Sequence, residues 1–133
     1  MRPIAEGLFT ETSPPRLIGG RHRTTGQLVF PRPAGDQHDA VLLGQRGTIW
    51  SYTIQRFRPK SPPYAGPADF KPYAMAYVEL PGELIVESRL TNVAFDAISI
   101  GMAVELTLIP LDPAVGDAGV LIHAFQPVET DHV

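Results

Sequence analysis

Six cations and four aromatic rings are the side chains of this sequence best suited to holding a ligand. Arg21, Arg23 and Arg32 lie in one Gly/Pro-rich stretch, and Arg56, Arg58 and Lys60 follow the single tryptophan closely. A guanidinium presents a planar fork of donors, so it bonds phosphate oxygens in pairs. Trp50, Tyr52, Tyr64 and Phe70 offer flat apolar faces that can cover a purine ring or an acyl chain. The competing reading buries Trp50 and Tyr52 in the core, where strands usually place their aromatics, and for these two it is preferred.

Self-sufficient catalysis finds less support. Cys is absent, which excludes disulfides, thiol nucleophiles and thiolate metal sites. Ser51 stands in a W-S-Y run rather than on the sharp G-x-S-x-G turn that exposes a nucleophile. Glu79, Glu83 and Glu87 flank one hairpin and read as a solvated face, not an acid/base pair. His123, in LIHAF, reads as a sheet histidine. His22, His38, Asp36 and Asp39 are competent metal donors by type, but no H-x-x-H or H-x-x-x-H spacing fixes two of them on one element. No catalytic residue and no metal ligand is assigned.

The elements that must position these groups are strands. Arg46–Arg58 (RGTIWSYTIQRFR) alternates bulky side chains, with Trp50, Tyr52 and Ile54 on one face and Ile49, Ser51, Thr53 and Phe57 on the other. A strand apolar on both faces suits the curved first strand of a small barrel. Residues 59–72, with five prolines, then form a wide loop, because proline lacks an amide donor and fixes φ. Tyr73, Met75 and Tyr77 alternate with Ala74, Ala76, Val78 and Leu80 before Pro81-Gly82, a type II turn signal, and Leu84, Val86 and Leu90 continue a hairpin. After a less regular connection with room for one helical turn, strands follow at 102–111 and 120–128. Five strands with a break between the third and fourth predict an all-β, five-stranded OB-type barrel.

Ahead of the barrel, Met1–Leu17 reads as an extended arm with three prolines. Residues 18–43 are rich in turn formers, with one short strand-like run at Gln27–Phe30. The division expected is therefore 1–43 for arm and turn-rich segment and 44–133 for the barrel.

Charge is unevenly spread. Arg16 to Lys71 holds nine basic residues against Asp36, Asp39 and Asp69, whereas Pro72 onward holds Arg89 alone against nine acids, with a net charge of −3 for the chain. This asymmetry suggests a local anion-binding or partner-binding surface, unless folding interleaves the two halves and cancels it. An OB barrel can bind single-stranded nucleic acid, but the acidic total and the lack of basic-aromatic alternation over several strands rank that reading last. No apolar run approaches the roughly 20 residues of a membrane span, and the N-terminus lacks a signal-peptide core, so a cytoplasmic, membrane-independent protein is expected.

Four stretches in order, RHRTTGQLVFPRP (Arg21–Pro33), GQRGTIWSYTIQRFRP (Gly44–Pro59), KPYAMAYVELPGELIVESRL (Lys71–Leu90) and ISIGMAVEL (Ile98–Leu106), with AFQPV (Ala124–Val128) at the close, resemble the zinc-ribbon and OB-fold acyl-CoA-associated proteins, the domain of unknown function thirty-five. That resemblance implies a rubredoxin-like ribbon before the barrel in which two Cys pairs hold zinc. Here the first pair falls on His22 and Thr25 and the second near Asp36–Asp39, so the resemblance is to a degenerate, metal-free ribbon. It further implies a non-catalytic accessory subunit in a hetero-oligomer with a thiolase-type or enoyl-CoA hydratase-type enzyme. An acyl-CoA would be a ligand through Arg21, Arg23, Arg32, Trp50, Tyr52, Arg56, Arg58 and Lys60, and Tyr64, Phe70 and Lys71 would dock the partner. A stand-alone acyl-CoA or small-ligand binder remains the alternative.

Overall fold

The computed structural model describes residues 2–3, 7–12, 14–56, 72–111 and 120–128. Its strands are β1 (Arg2–Pro3), β2 (Ile18–His22), β3 (Leu28–Val29), β4 (His38–Leu42), β5 (Arg46–Gln55), β6 (Tyr73–Glu79), β7 (Ile85–Leu90), β8 (Ala103–Pro110) and β9 (Val120–Pro127). The one helical element among the described residues is the 3-10 turn Phe95–Ala97, in the expected break between β7 and β8. Strands β5, β6, β7, β9 and β8 pair in that order, and β8 pairs back onto β5, closing a five-stranded barrel. All contacts in the ring are antiparallel except β7 with β9. This is the OB-type barrel that strand count and spacing predict.

The β6–β7 hairpin forms as its residues dictate. Gly82 supplies φ 73°, and the Glu83 amide donates to the Leu80 carbonyl at 3.0 Å, the closing bond of the turn. Ala74, Ala76, Val78 and Leu80 are all buried, as are Val86 and Leu90 opposite them. With Ile49, Val104, Leu106 and Phe125 they make the barrel interior. Each fully buried large side chain removes enough apolar surface to contribute about 1.5–3 kcal/mol.

Two departures from the sequence reading stand out. First, the alternation of β5 breaks at a bulge between Ile49 and Ser51. Ile49 faces Val78 across the ladder, yet Tyr52 and Ile54 face Ala76 and Ala74, so inward positions change parity and Trp50 is the extra residue. Trp50 is 58% exposed and Tyr52 38% exposed, which corrects their preferred placement in the core. Second, the turn-rich segment is a three-stranded antiparallel sheet, β3-β2-β4, where a single short strand is expected. Gly19 and Gly20 read as turn residues, but at Gly19 a side chain would meet the Val29 carbonyl oxygen at 2.8 Å, so the strand needs glycine for close approach.

The small sheet meets the barrel at the Leu17–Leu43 joint and through Phe30, whose ring lies 5.6 Å from that of His123. Leu17 and Leu43 are fully buried in the same cluster as the barrel interior, and the Leu43 amide donates to the Leu17 carbonyl at 2.9 Å. Arg16 Nε donates to the Leu43 carbonyl at 2.5 Å, and the Gly44 amide donates to Glu83 Oε1 at 2.6 Å. The hairpin turn of the barrel thus holds the entry to β5.

Candidate functional site

The predicted binding residues fall into separate groups. Arg21 is exposed on β2, and Arg23 pairs with Asp39 at 2.9 Å, both side chains more than half exposed. Arg32 donates twice to the His38 carbonyl, at 3.2 and 3.1 Å, tying the loop after β3 to β4. Arg56 lies just past β5, 6.0 Å from the Phe95 ring centroid. Among the described residues no hydrogen bond, ion pair or ring contact joins Arg21, Arg23 or Arg32 to Arg56, Trp50 or Tyr52. Arg58, Lys60, Tyr64, Phe70 and Lys71 lie outside the described residues.

Where the resemblance implies thiolates, the chain is built otherwise. His22 Nδ1 accepts from the amides of Thr24 at 3.1 Å and Thr25 at 3.2 Å, while the Gly26 amide donates to the His22 carbonyl at 2.8 Å. Two amides converging on one acceptor hold the turn closed, and they occupy the lone pair that a metal would need. His38 stands opposite His22 in the ladder with the rings edge to face at 5.0 Å. Among the described residues no group of three or more His, Asp or Glu is arranged to hold a metal ion. The donor set does not fit a tetrahedral zinc clip.

On the barrel, register gathers a surface of which the sequence reading singled out only Trp50 and Tyr52. Side chains on the outer face of β5, β6 and β7 stand in rows, with Ser51, Tyr77 and Glu87 in one, Thr53, Met75 and Arg89 in the next, and Gln55 and Tyr73 beyond. A pocket of about 180 Å³ opens among Ser51, Tyr52, Thr53, Gln55, Met75, Tyr77 and Glu87, so of the predicted binding residues it takes Tyr52. Trp50 and Tyr77 meet edge to face at 6.5 Å on its rim, and Tyr77 is 47% exposed. Arg89 lies flat over Tyr73, 3.8 Å from its centroid. The signal was visible in the alternation: Tyr73, Met75 and Tyr77 are bulky residues opposite a small, inward set.

A second recess of about 310 Å³ follows the seam where β7 and β9 part, since they pair only at Arg89–Ala124 and Leu90–Phe125. His123 lies there, between the rings of Phe30 (5.6 Å, edge to face) and Phe9 (6.5 Å). Its Nε2 is 3.4 Å from the Glu87 carbonyl, and its Nδ1 is buried without a partner. Burial pushes the imidazole below its ordinary value of 6.5, partly opposed by the Glu87 carbonyl, so it is neutral at physiological pH. Ser88, the buried hydroxyl, donates to the Arg89 carbonyl at 3.2 Å rather than to this ring.

Comparison with known proteins adds two findings. The model for the ChsH2 C-terminal OB-fold domain matches residues 40–108. A chain solved as an Ltp2-ChsH2(DUF35) aldolase superposes with a TM-score of 0.61 at 27% identity, covering 84% of each chain. No curated protein matches by sequence.

Proposed function

Because the chain belongs to the ChsH2 C-terminal OB-fold domain family, we propose that it is a non-catalytic accessory subunit that associates with a thiolase-type or enoyl-CoA hydratase-type enzyme and supports acyl-CoA binding there. The observation that carries this reading is the similarity, over 84% of both chains, to a chain of an Ltp2-ChsH2(DUF35) aldolase. The partner supplies the reacting groups. In this chain the Ser88 hydroxyl donates to the Arg89 carbonyl rather than to His123, so the two do not form a nucleophile–base pair.

The contribution of this chain to the ligand is electrostatic. Arg21, Arg23 and Arg32 gather positive charge on the small sheet, where a CoA pyrophosphate would compete with Asp39 for Arg23. The ribbon works without zinc, its turn closed by His22 rather than by thiolates. Co-expression with the thiolase-type enzyme of the same genome, followed by size-exclusion chromatography and an acyl-CoA turnover assay, tests the assignment. The expected result is a stoichiometric complex whose KM for acyl-CoA rises when Arg21 and Arg23 are both replaced by alanine. Tight CoA binding by the isolated chain, with no complex formed, would instead favour the stand-alone binder.

A further inference from the structure

We propose that the outer face of β5–β6–β7 is a docking surface for a partner protein that inserts an arginine side chain into the pocket beside Glu87, with Trp50 and Tyr77 as the apolar anchor. The assignment rests on the accessory-subunit reading and deepens it by naming the face and the chemistry it selects.

Three observations carry it. The only tryptophan of the chain is the bulged residue of β5 and is turned outward at 58% exposure against an exposed tyrosine, where burial would be the default. Exposed, mutually supported Trp and Tyr side chains are characteristic anchors of protein interfaces, because each buries a large rigid face at small entropic cost. The pocket beside them has an apolar wall, Met75 and Tyr77, and a charged end, Glu87. An arginine stem packs on the first while its fork reaches the carboxylate, with Ser51, Thr53 and Gln55 as further polar contacts.

Charge on this face is unbalanced in the matching direction. Glu79 and Glu87 are both exposed on it, and neither is paired with a cation among the described residues. Arg89, the neighbouring cation, is laid over Tyr73. A cationic partner side chain therefore gains a charge-assisted bond and cation–π contact with Tyr77 at once, whereas an anionic ligand is repelled.

The test has two arms. In the first, N-acetylarginine methylamide at millimolar concentration is titrated into the isolated chain and amide shifts are followed. Shifts clustered at Ser51, Met75, Tyr77 and Glu87, and lost in Glu87→Gln, support the site; their absence, or scatter over all acidic residues, overturns it. Shifts that emerge only after Arg58, Lys60 and Lys71 are replaced by serine would give the pocket to the chain's own loop and overturn the partner assignment. A dimer in light scattering that Glu87→Lys dissolves would give it to a second copy.

In the second arm the complex with the thiolase-type enzyme is titrated, following the Trp50 emission. A blue shift in the wild type, with calorimetric titration giving about 30-fold weaker binding for Glu87→Lys, about tenfold for Trp50→Ala and under about threefold for Asp36→Lys, supports the face. Unchanged affinity of the first two variants removes it and leaves the accessory-subunit reading intact. If the wild-type chain forms no complex, that reading fails, and the first arm alone decides the pocket.

Discussion

The barrel and the small sheet beside it are built on different physics. The barrel is a closed ladder around Ile49, Val78, Leu80, Val86, Val104 and Phe125, each almost wholly buried, so its stability is set by apolar burial and by the absence of an edge. The segment that forms the small sheet gives that interior two fully buried side chains, Leu17 and Leu43, and packs Phe30 and Val41 against it. Elsewhere it is held by side chains bonded to backbone or to each other: His22 to two amides, Arg32 to the His38 carbonyl, Arg23 to Asp39. A segment too small for a core of its own is thus organised by polar locks and by leaning on a neighbour that has one.

This contrast is open to attack at several points. Phe125→Ala, in the middle of the barrel, is expected to cost about 3–5 kcal/mol in denaturant unfolding, with both regions lost together. Leu43→Ala, at the joint, is expected to cost about 2–5 kcal/mol, also globally. A Leu43→Ala protein with a normal barrel and a separately melted small sheet would show that the two regions are energetically independent.

His22→Ala removes the acceptor of two exposed amides and is expected to cost about 0.5–1.5 kcal/mol, confined to the small sheet and read as faster hydrogen exchange at Thr24 and Thr25. His22→Asn, whose side-chain oxygen can accept, is expected to recover part of the protection. Equal exchange in wild type and His22→Ala would remove the polar lock from the account.

His123 sharpens the comparison along the pH axis, since it touches Phe9 and Phe30 as well as the barrel. Its folded-state pKa is lowered, so between that value and 6.5 the unfolded chain binds more protons than the folded one. Stability therefore rises with pH through this window and levels off above it. His123→Leu is expected to flatten that part of the profile, and an unchanged slope would assign it elsewhere. The smallest effect belongs to the exposed Arg23–Asp39 pair, where Arg23→Ala is expected to cost less than about 1 kcal/mol and to matter less still at high salt.

Legibility in the sequence followed the same division. The β6–β7 hairpin could be read residue by residue, because Ala74, Ala76, Val78 and Leu80 alternate strictly and Pro81-Gly82 has one conformational meaning. The small sheet could not, because Gly19 and Gly20 carry the same letters whether they end a strand or let one approach its neighbour. Trp50 was misplaced for a related reason: strands usually bury their aromatics, but Trp50 is itself the extra residue of the bulge, and residue type does not show where a ladder breaks.

By itself, then, the sequence determined the class of fold, the strand count of the barrel, the turn between β6 and β7 and the family resemblance, since each depends on residue type and local spacing alone. Tertiary structure decided which aromatics face water, what closes the His22 turn, and which carboxylate stands beside Trp50 and Tyr77. Those outcomes depend on cross-strand register and on one bulge, which are set by contacts between residues far apart in the chain.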